Sequence, residues 1–197
     1  MAPAQAASIL VVPSLLTNLQ QIRPLDRLRS LWTRLWPMMA GIAAGTLAGA
    51  GAITGADARF ASALLGAALV AYALTGLTAV RFFVPPNREG WLGPLAGFST
   101  GLVTAATGVF VLPAVPYLQA IGLEKDDLVQ ALGLSFLVST LALAVTLGGT
   151  GTLSADLAAA SLLALGPALA GQAAGRRLRA RVAAATFRRW FFLALLA

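Results

Sequence analysis

The sequence contains no cysteine and no histidine. Those two absences exclude thiol nucleophiles, disulfides, His-based metal sites and histidine general bases. Charge is scarce too: 11% of residues are Asp, Glu, Lys or Arg, against a hydrophobic share of 58%. Soluble domains carry about 25% charged residues, so that class is excluded. What is present instead is a series of apolar runs of about 20 residues, the length that crosses a hydrocarbon core. The composition is that of an all-α polytopic membrane protein in contact with a lipid bilayer. The net charge of +7 comes almost entirely from arginine. In such a chain it reads as loop charge held in the cytoplasm, and no nucleic-acid partner is expected. The N-terminus lacks a basic start and Pro13 interrupts its apolar core, which argues against a signal peptide. No metal or cofactor is expected.

Six apolar elements and a stub can be marked. They cover about 4–21, 35–53, 60–80, 92–121, 128–147 and 157–175, with a last helix from about 186 that is cut short. A polar connector, "RFFVPPNREGW", occupies 81–91. If all six elements cross the membrane, Lys and Arg divide six against eight between the two sides. That is no bias, where short loops normally show one. If the fourth element enters and returns on one side, the division becomes thirteen against one. The second arrangement is strongly preferred. It makes 92–121 a re-entrant helical hairpin and places the arginine-rich loops in the cytoplasm of a multi-pass protein.

The same count implies an inverted-repeat helical bundle. Residues 1–80 form a partial N-terminal repeat of three helices, and 92–197 form a C-terminal repeat that opens on the hairpin. Small residues at every fourth position echo between Gly41, Gly45, Gly49 and Pro167, Gly171, Gly175. Inverted repeats are a frequent plan of secondary transporters. On this division the first repeat lacks its opening hairpin.

The hairpin "GFSTGLVTAATGVFVLPAVPYLQAIG" carries no charge but many hydroxyls and glycines. Gly93, Gly97 and Gly101 stand four apart, a spacing that usually means close helix packing. Thr100, Thr104 and Thr107 follow i, i+4, i+7 and line a neighbouring face. Any one such hydroxyl can bond back to its own helix, but three together, running into Gly108, favour a polar lining. We expect a helix break at Thr107–Gly108, with a second half-helix starting there. It would aim the amides of Gly108, Val109 and Phe110 into the interior, an arrangement suited to a small anion. On the facing elements, Thr17, Asn18 and Gln20 follow Pro13, while Ser135, Ser139 and Thr140 occupy the matching region. An amide in hydrocarbon needs a partner, so Asn18 serves either a site or an interhelical hydrogen bond. No acidic or basic side chain falls clearly within a span, so a proton carrier of the usual kind is missing. A coupling ion and homo-oligomer formation stay open.

The combination "GLVTAATGVFVLPAVPYLQAIGL", then "ALGLSFLVST", with "VVPSLLTNLQQ" near the start, resembles the sulfite exporter TauE/SafE family over essentially the whole chain. The resemblance implies a bacterial inner-membrane permease with two related halves. Such a permease moves sulfite, sulfonates or other small organic anions, generally outward. The family's Thr-Gly turn falls on Thr107 and Gly108, and its following proline on Pro113. Its Pro…Thr-Asn…Gln helix falls on Pro13, Thr17, Asn18 and Gln20 or Gln21. Many members have further glycines after the turn, where this chain has Val109 and Phe110. Members also begin with a glycine-rich hairpin, and nothing before Met1 supplies one, so a truncated chain is expected.

The leading expectation is a secondary transporter of a small anion. A non-transporting fragment or accessory protein is the alternative. An intramembrane enzyme is disfavoured, because the spans offer hydroxyls and amides but no acids, bases or arginines.

Overall fold

Proline and glycine punctuate the chain. In the computed structural model some of those marks bound helices, as Pro86 and Gly108 do, while others lie within them, as Pro13 and Pro37 do. The structure describes residues 3–23, 25–49, 83–149 and 155–181, with Ala63, Gly66 and Val70 as isolated positions. The predicted third element at 60–80 and the stub from 186 therefore lie outside the described residues. Among those described, every regular element is helical. They are α1 (Pro3–Gln21), a 3-10 turn (Leu25–Arg27), α2 (Leu28–Ala48), α3 (Pro86–Thr107), α4 (Ala114–Ala120), α5 (Lys125–Gly149) and α6 (Ala155–Arg181). Of these, the stretch Asp126–Gly149 is both long and apolar enough to cross a membrane, with mean hydropathy 2.1. Residues 159–175 form a shorter apolar helical stretch.

Several boundaries differ from expectation for local reasons. α2 starts at Leu28 rather than Leu35, because "LRSLWTR" holds no helix breaker and Leu31 and Leu35 share a buried face. The connector at 81–91 is half helix. Pro85 caps α3 in an extended conformation and Pro86 stands at the first helical position, where a missing N–H costs nothing. α6 runs on to Arg181, since alanine, leucine and arginine all favour helix.

α2 and α3 run parallel in near backbone contact. A Cβ on Gly45 would overlap the Phe98 carbonyl, and one on Gly97 would overlap the Met38 carbonyl. The glycine spacing in α3 is thus packing, as its commoner meaning suggested. In α6, by contrast, Gly171 and Gly175 meet nothing within 4 Å among the described residues. α1 runs antiparallel to α5, with the Gln130 amide donating to the Ile22 carbonyl at 3.3 Å and Ala7 and Val11 packed with Leu143 and Leu147. α1 is parallel to α6: Ser161 reaches Ile9 and Gln172 reaches Thr17.

These directions collect the basic segments at one end of the bundle. There Arg34 clasps Glu89 through two hydrogen bonds, 2.8 and 2.6 Å, and donates to the Ile121 carbonyl at 3.0 Å. The hydrogen bonds it donates to Glu89 hold the Arg34 guanidinium above its usual pKa, although partial burial opposes this. The Val84 N–H donates to the Ala120 carbonyl at 2.9 Å, so the α3–α4 hairpin begins and ends side by side. Arg27 meets Asp127 at 3.2 Å, joining the start of α2 to the start of α5. Asp126 and Asp127 occupy the first turn of α5, where a negative charge suits the helix dipole. A core of Leu35, Met38, Ile42, Ala114, Leu118 and Ala131 holds α2, α4 and α5 together above this end.

Candidate functional site

The α3 helix stops at a glycine held in the left-handed conformation. Gly108 has φ 73° and its N–H donates to the Thr104 carbonyl at 2.8 Å. This conformation costs a side-chain-bearing residue about 1–2 kcal/mol. The Thr107 hydroxyl donates to the Val103 carbonyl at 2.7 Å and accepts the Val109 N–H at 3.1 Å. One threonine thereby closes the helix end and fixes the first residue beyond it.

The second half-helix does not begin at Gly108. Residues 109–113 are irregular, the Leu112–Pro113 peptide is cis, and α4 starts at Ala114 behind Pro113. Proline has no N–H to lose at a helix start, which moves the start to it. The correction changes which amides are free. Those of Gly108 and Val109 are bonded within the turn, whereas those of Phe110, Val111 and Leu112 have no acceptor among the described residues.

Beside this break lies a cavity of about 170 Å³, lined by Ala7, Leu10, Val11 and Ser14 of α1, Gly108 to Val111, and Thr140 and Leu143 of α5. Its wall is mostly apolar. Among the described residues, the polar groups facing it are backbone at 108–111 and two hydroxyls, and no ionisable side chain lines it. The structure therefore brings together four of the residues expected from sequence: Gly108, Val109, Phe110 and Thr140. The Thr140 hydroxyl also donates to the Phe136 carbonyl at 2.7 Å.

The other expected residues lie outside the lining. Thr104 is fully buried and bonds back to the Thr100 carbonyl at 2.8 Å. Thr100 does the same to Ala96 at 2.7 Å, so the threonine face of α3 is not a polar lining. Thr107 acts through the turn. Thr17 donates to the Pro13 and Ser14 carbonyls at 2.9 and 3.2 Å, and its own carbonyl accepts the Gln172 amide at 3.4 Å. Gln20 is exposed. Ser135 is buried and donates to the Leu132 carbonyl at 3.1 Å. Asn18 and Ser139 are buried, and neither the Asn18 Nδ2 nor the Ser139 Oγ has a hydrogen-bond partner among the described residues. The Gln172 Oε1 is likewise buried and unpaired among them.

Sequence reasoning missed Ala7, Leu10, Val11, Val111 and Leu143, the apolar part of the wall, together with the Ser14 hydroxyl. The i, i+4, i+7 spacing of Ala7, Val11 and Ser14 marks one face, but nothing local says that a helix break covers it. Ser161 was missed as well. It is buried, accepts the Val12 N–H at 3.3 Å and donates to the Ile9 carbonyl at 2.7 Å.

Neither a search of curated proteins nor a search of solved structures returns a match. The family model described as sulfite exporter TauE/SafE does match, over residues 1–197. With that match over the full sequence, the chain belongs to the sulfite exporter TauE/SafE family of membrane transporters.

Proposed function

We propose that the protein is a secondary permease for a small anion, a sulfur oxyanion, a sulfonate or another organic anion, and that the tip of the α3–α4 hairpin binds it. The observation that carries this reading is the cavity at 108–111, flanked by N–H groups at 110–112 with no acceptor among the described residues. Unsatisfied amides at the depth of a bilayer are tolerated only where they face protein or a wet cavity. They stabilise negative charge without a cationic side chain, so a bound anion is released more readily than from an arginine. In a bilayer the large exposed side chains, among them Leu102, Leu141, Val145 and Leu163, would face lipid. Trp32, Trp36 and Trp91 are exposed near the Arg34 clasp, where an interfacial belt belongs.

On this reading the clasped end is cytoplasmic, the membrane is the bacterial inner membrane, and transport runs outward. The hairpin is re-entrant, a reading supported by the meeting of its two ends at Val84 and Ala120. The two halves are inverted repeats, which the antiparallel run of α1 against α5 and the opposite directions of α2 and α6 support. The test is flux of radiolabelled sulfite and of a small sulfonate in vesicles bearing the full chain, compared with Gly108→Leu. Equal flux at equal insertion overturns the site.

A further inference from the structure

An aromatic pair borders the cavity, and a buried polar group stands level with its second ring. Phe110 lines the cavity and packs against Phe136, with ring centroids 5.0 Å apart and planes inclined at 54°. Phe136 stands one turn before Thr140 on α5, toward the clasped end. The antiparallel register of α1 and α5 fixes what lies opposite. A Cβ on Gly133 would meet Gln21 and Ile22, and Gln130 bonds to the Ile22 carbonyl. One turn further along both helices, Asn18 comes level with Phe136. Asn18 is also four residues beyond Ser14, on the α1 face that lines the cavity. It is 4% exposed, and its carboxamide nitrogen has no partner among the described residues. Burying an unpaired donor is a cost that a purely structural residue would avoid by being apolar.

We propose that the Phe110–Phe136 ring pair is a gate, and that Asn18 is the next hydrogen-bond donor an anion meets on passing it toward the clasped end. The inference rests on the transporter reading above and adds a second polar station to its path. Closed, the rings keep water and ligand from the Asn18 amide. A rotation of the Phe110 ring on the irregular 109–113 segment would join the cavity to Asn18. The donor then replaces part of the anion's hydration. Its neutrality matters, because a positive side chain there would hold the anion and a negative one would repel it.

The chain holds no cysteine, so single-cysteine variants can be labelled without background. Asn18→Cys in proteoliposomes is treated with a small methanethiosulfonate, which reacts only where water reaches the thiol. Labelling is expected to be slow, and faster by about tenfold or more when Phe136→Ala or the milder Phe136→Leu is added, the change equivalent to about 1.4 kcal/mol of gate closure. Fast labelling with the rings intact, or no acceleration by either ring variant, overturns the gate. The second arm measures the full chain with Asn18→Leu. Binding of radiolabelled sulfonate to the purified protein is expected to stay within about twofold while flux falls about ten- to hundredfold, as the loss of one hydrogen bond to a charged group predicts. Joint loss of binding and flux would put Asn18 in the cavity itself, and unchanged flux would remove it from the path; either overturns the proposal. Labelling does not depend on transport. A wild-type chain that moves no anion, together with ring-dependent labelling of Asn18→Cys, would refute the permease reading and leave the gate standing as a structural closure.

Discussion

The Ser161 hydroxyl on α6 donates at 2.7 Å to the Ile9 carbonyl on α1, the acceptor that Pro13 leaves without an N–H four residues on. Proline inside a helix removes one backbone bond and crowds the carbonyl it faces. Here a neighbouring helix supplies the missing donor, and the Ser161 hydroxyl oxygen also accepts the Val12 N–H at 3.3 Å. Proline in α1 and serine in α6 are one structural unit, although 148 positions separate them in sequence.

Ser161→Ala removes that donor and leaves both groups buried. The expected cost is about 1–3 kcal/mol, read as a lower midpoint of thermal unfolding in detergent. Ser161→Thr keeps the hydroxyl and is expected to recover much of it. An unchanged midpoint in the alanine variant would show that water serves the Ile9 carbonyl instead.

The two glycines at 90 and 97 lie on one helix and make opposite predictions. Gly97 abuts the Met38 backbone, whereas a Cβ on Gly90 would meet nothing within 4 Å among the described residues. Gly97→Ala forces α2 and α3 apart and is expected to lower the unfolding midpoint or prevent assembly. Gly90→Ala gains about 0.5–1 kcal/mol from reduced backbone freedom. Equal effects would mean that α2 and α3 do not pack through these glycines.

Arg34 joins three chain segments, Glu89 at the start of α3, Ile121 after α4, and its own helix α2. Lysine is a point donor and cannot hold both carboxylate oxygens and a carbonyl in one plane. Arg34→Lys and Arg34→Ala are both expected to speed hydrogen exchange at the Val84 amide, which bonds to Ala120 beside the clasp. Unchanged exchange in Arg34→Ala would separate the clasp from hairpin closure.

Thr107→Val is close to isosteric but neither donates to Val103 nor accepts from Val109. The hairpin tip should lose its fixed geometry while the helices stay folded. The expected result is anion flux reduced about tenfold or more, one to two hydrogen bonds' worth, with unchanged insertion. Retained flux would limit Thr107 to a local role.

The break itself was legible, because Gly108 follows a threonine at the end of an apolar run and two prolines stand soon after. Where the next helix starts was not. Gly108 and Pro113 are both good boundaries, and the choice depends on Ala114 and Leu118 packing into the core with Leu35 and Met38. The loop arginines gave the common end for the helices, since charge must avoid hydrocarbon whatever the packing. The threonines of α3 misled for a related reason. In sequence, a hydroxyl that bonds back to Ala96 or Thr100 looks the same as one that faces a ligand. The apolar cavity wall and Ser161 depend on contacts between distant helices, which no local spacing records.

The central claim is that amides at the hairpin tip, reached through the Gly108 turn, bind the transported anion. Gly108→Leu tests it most directly, since φ 73° there disfavours any side chain. Flux of radiolabelled sulfite and a small sulfonate is measured in proteoliposomes with matched amounts of inserted wild-type and variant chain. The account predicts saturable flux for the wild type and loss of it in Gly108→Leu. Wild-type flux in the variant, with the same saturation, would contradict it.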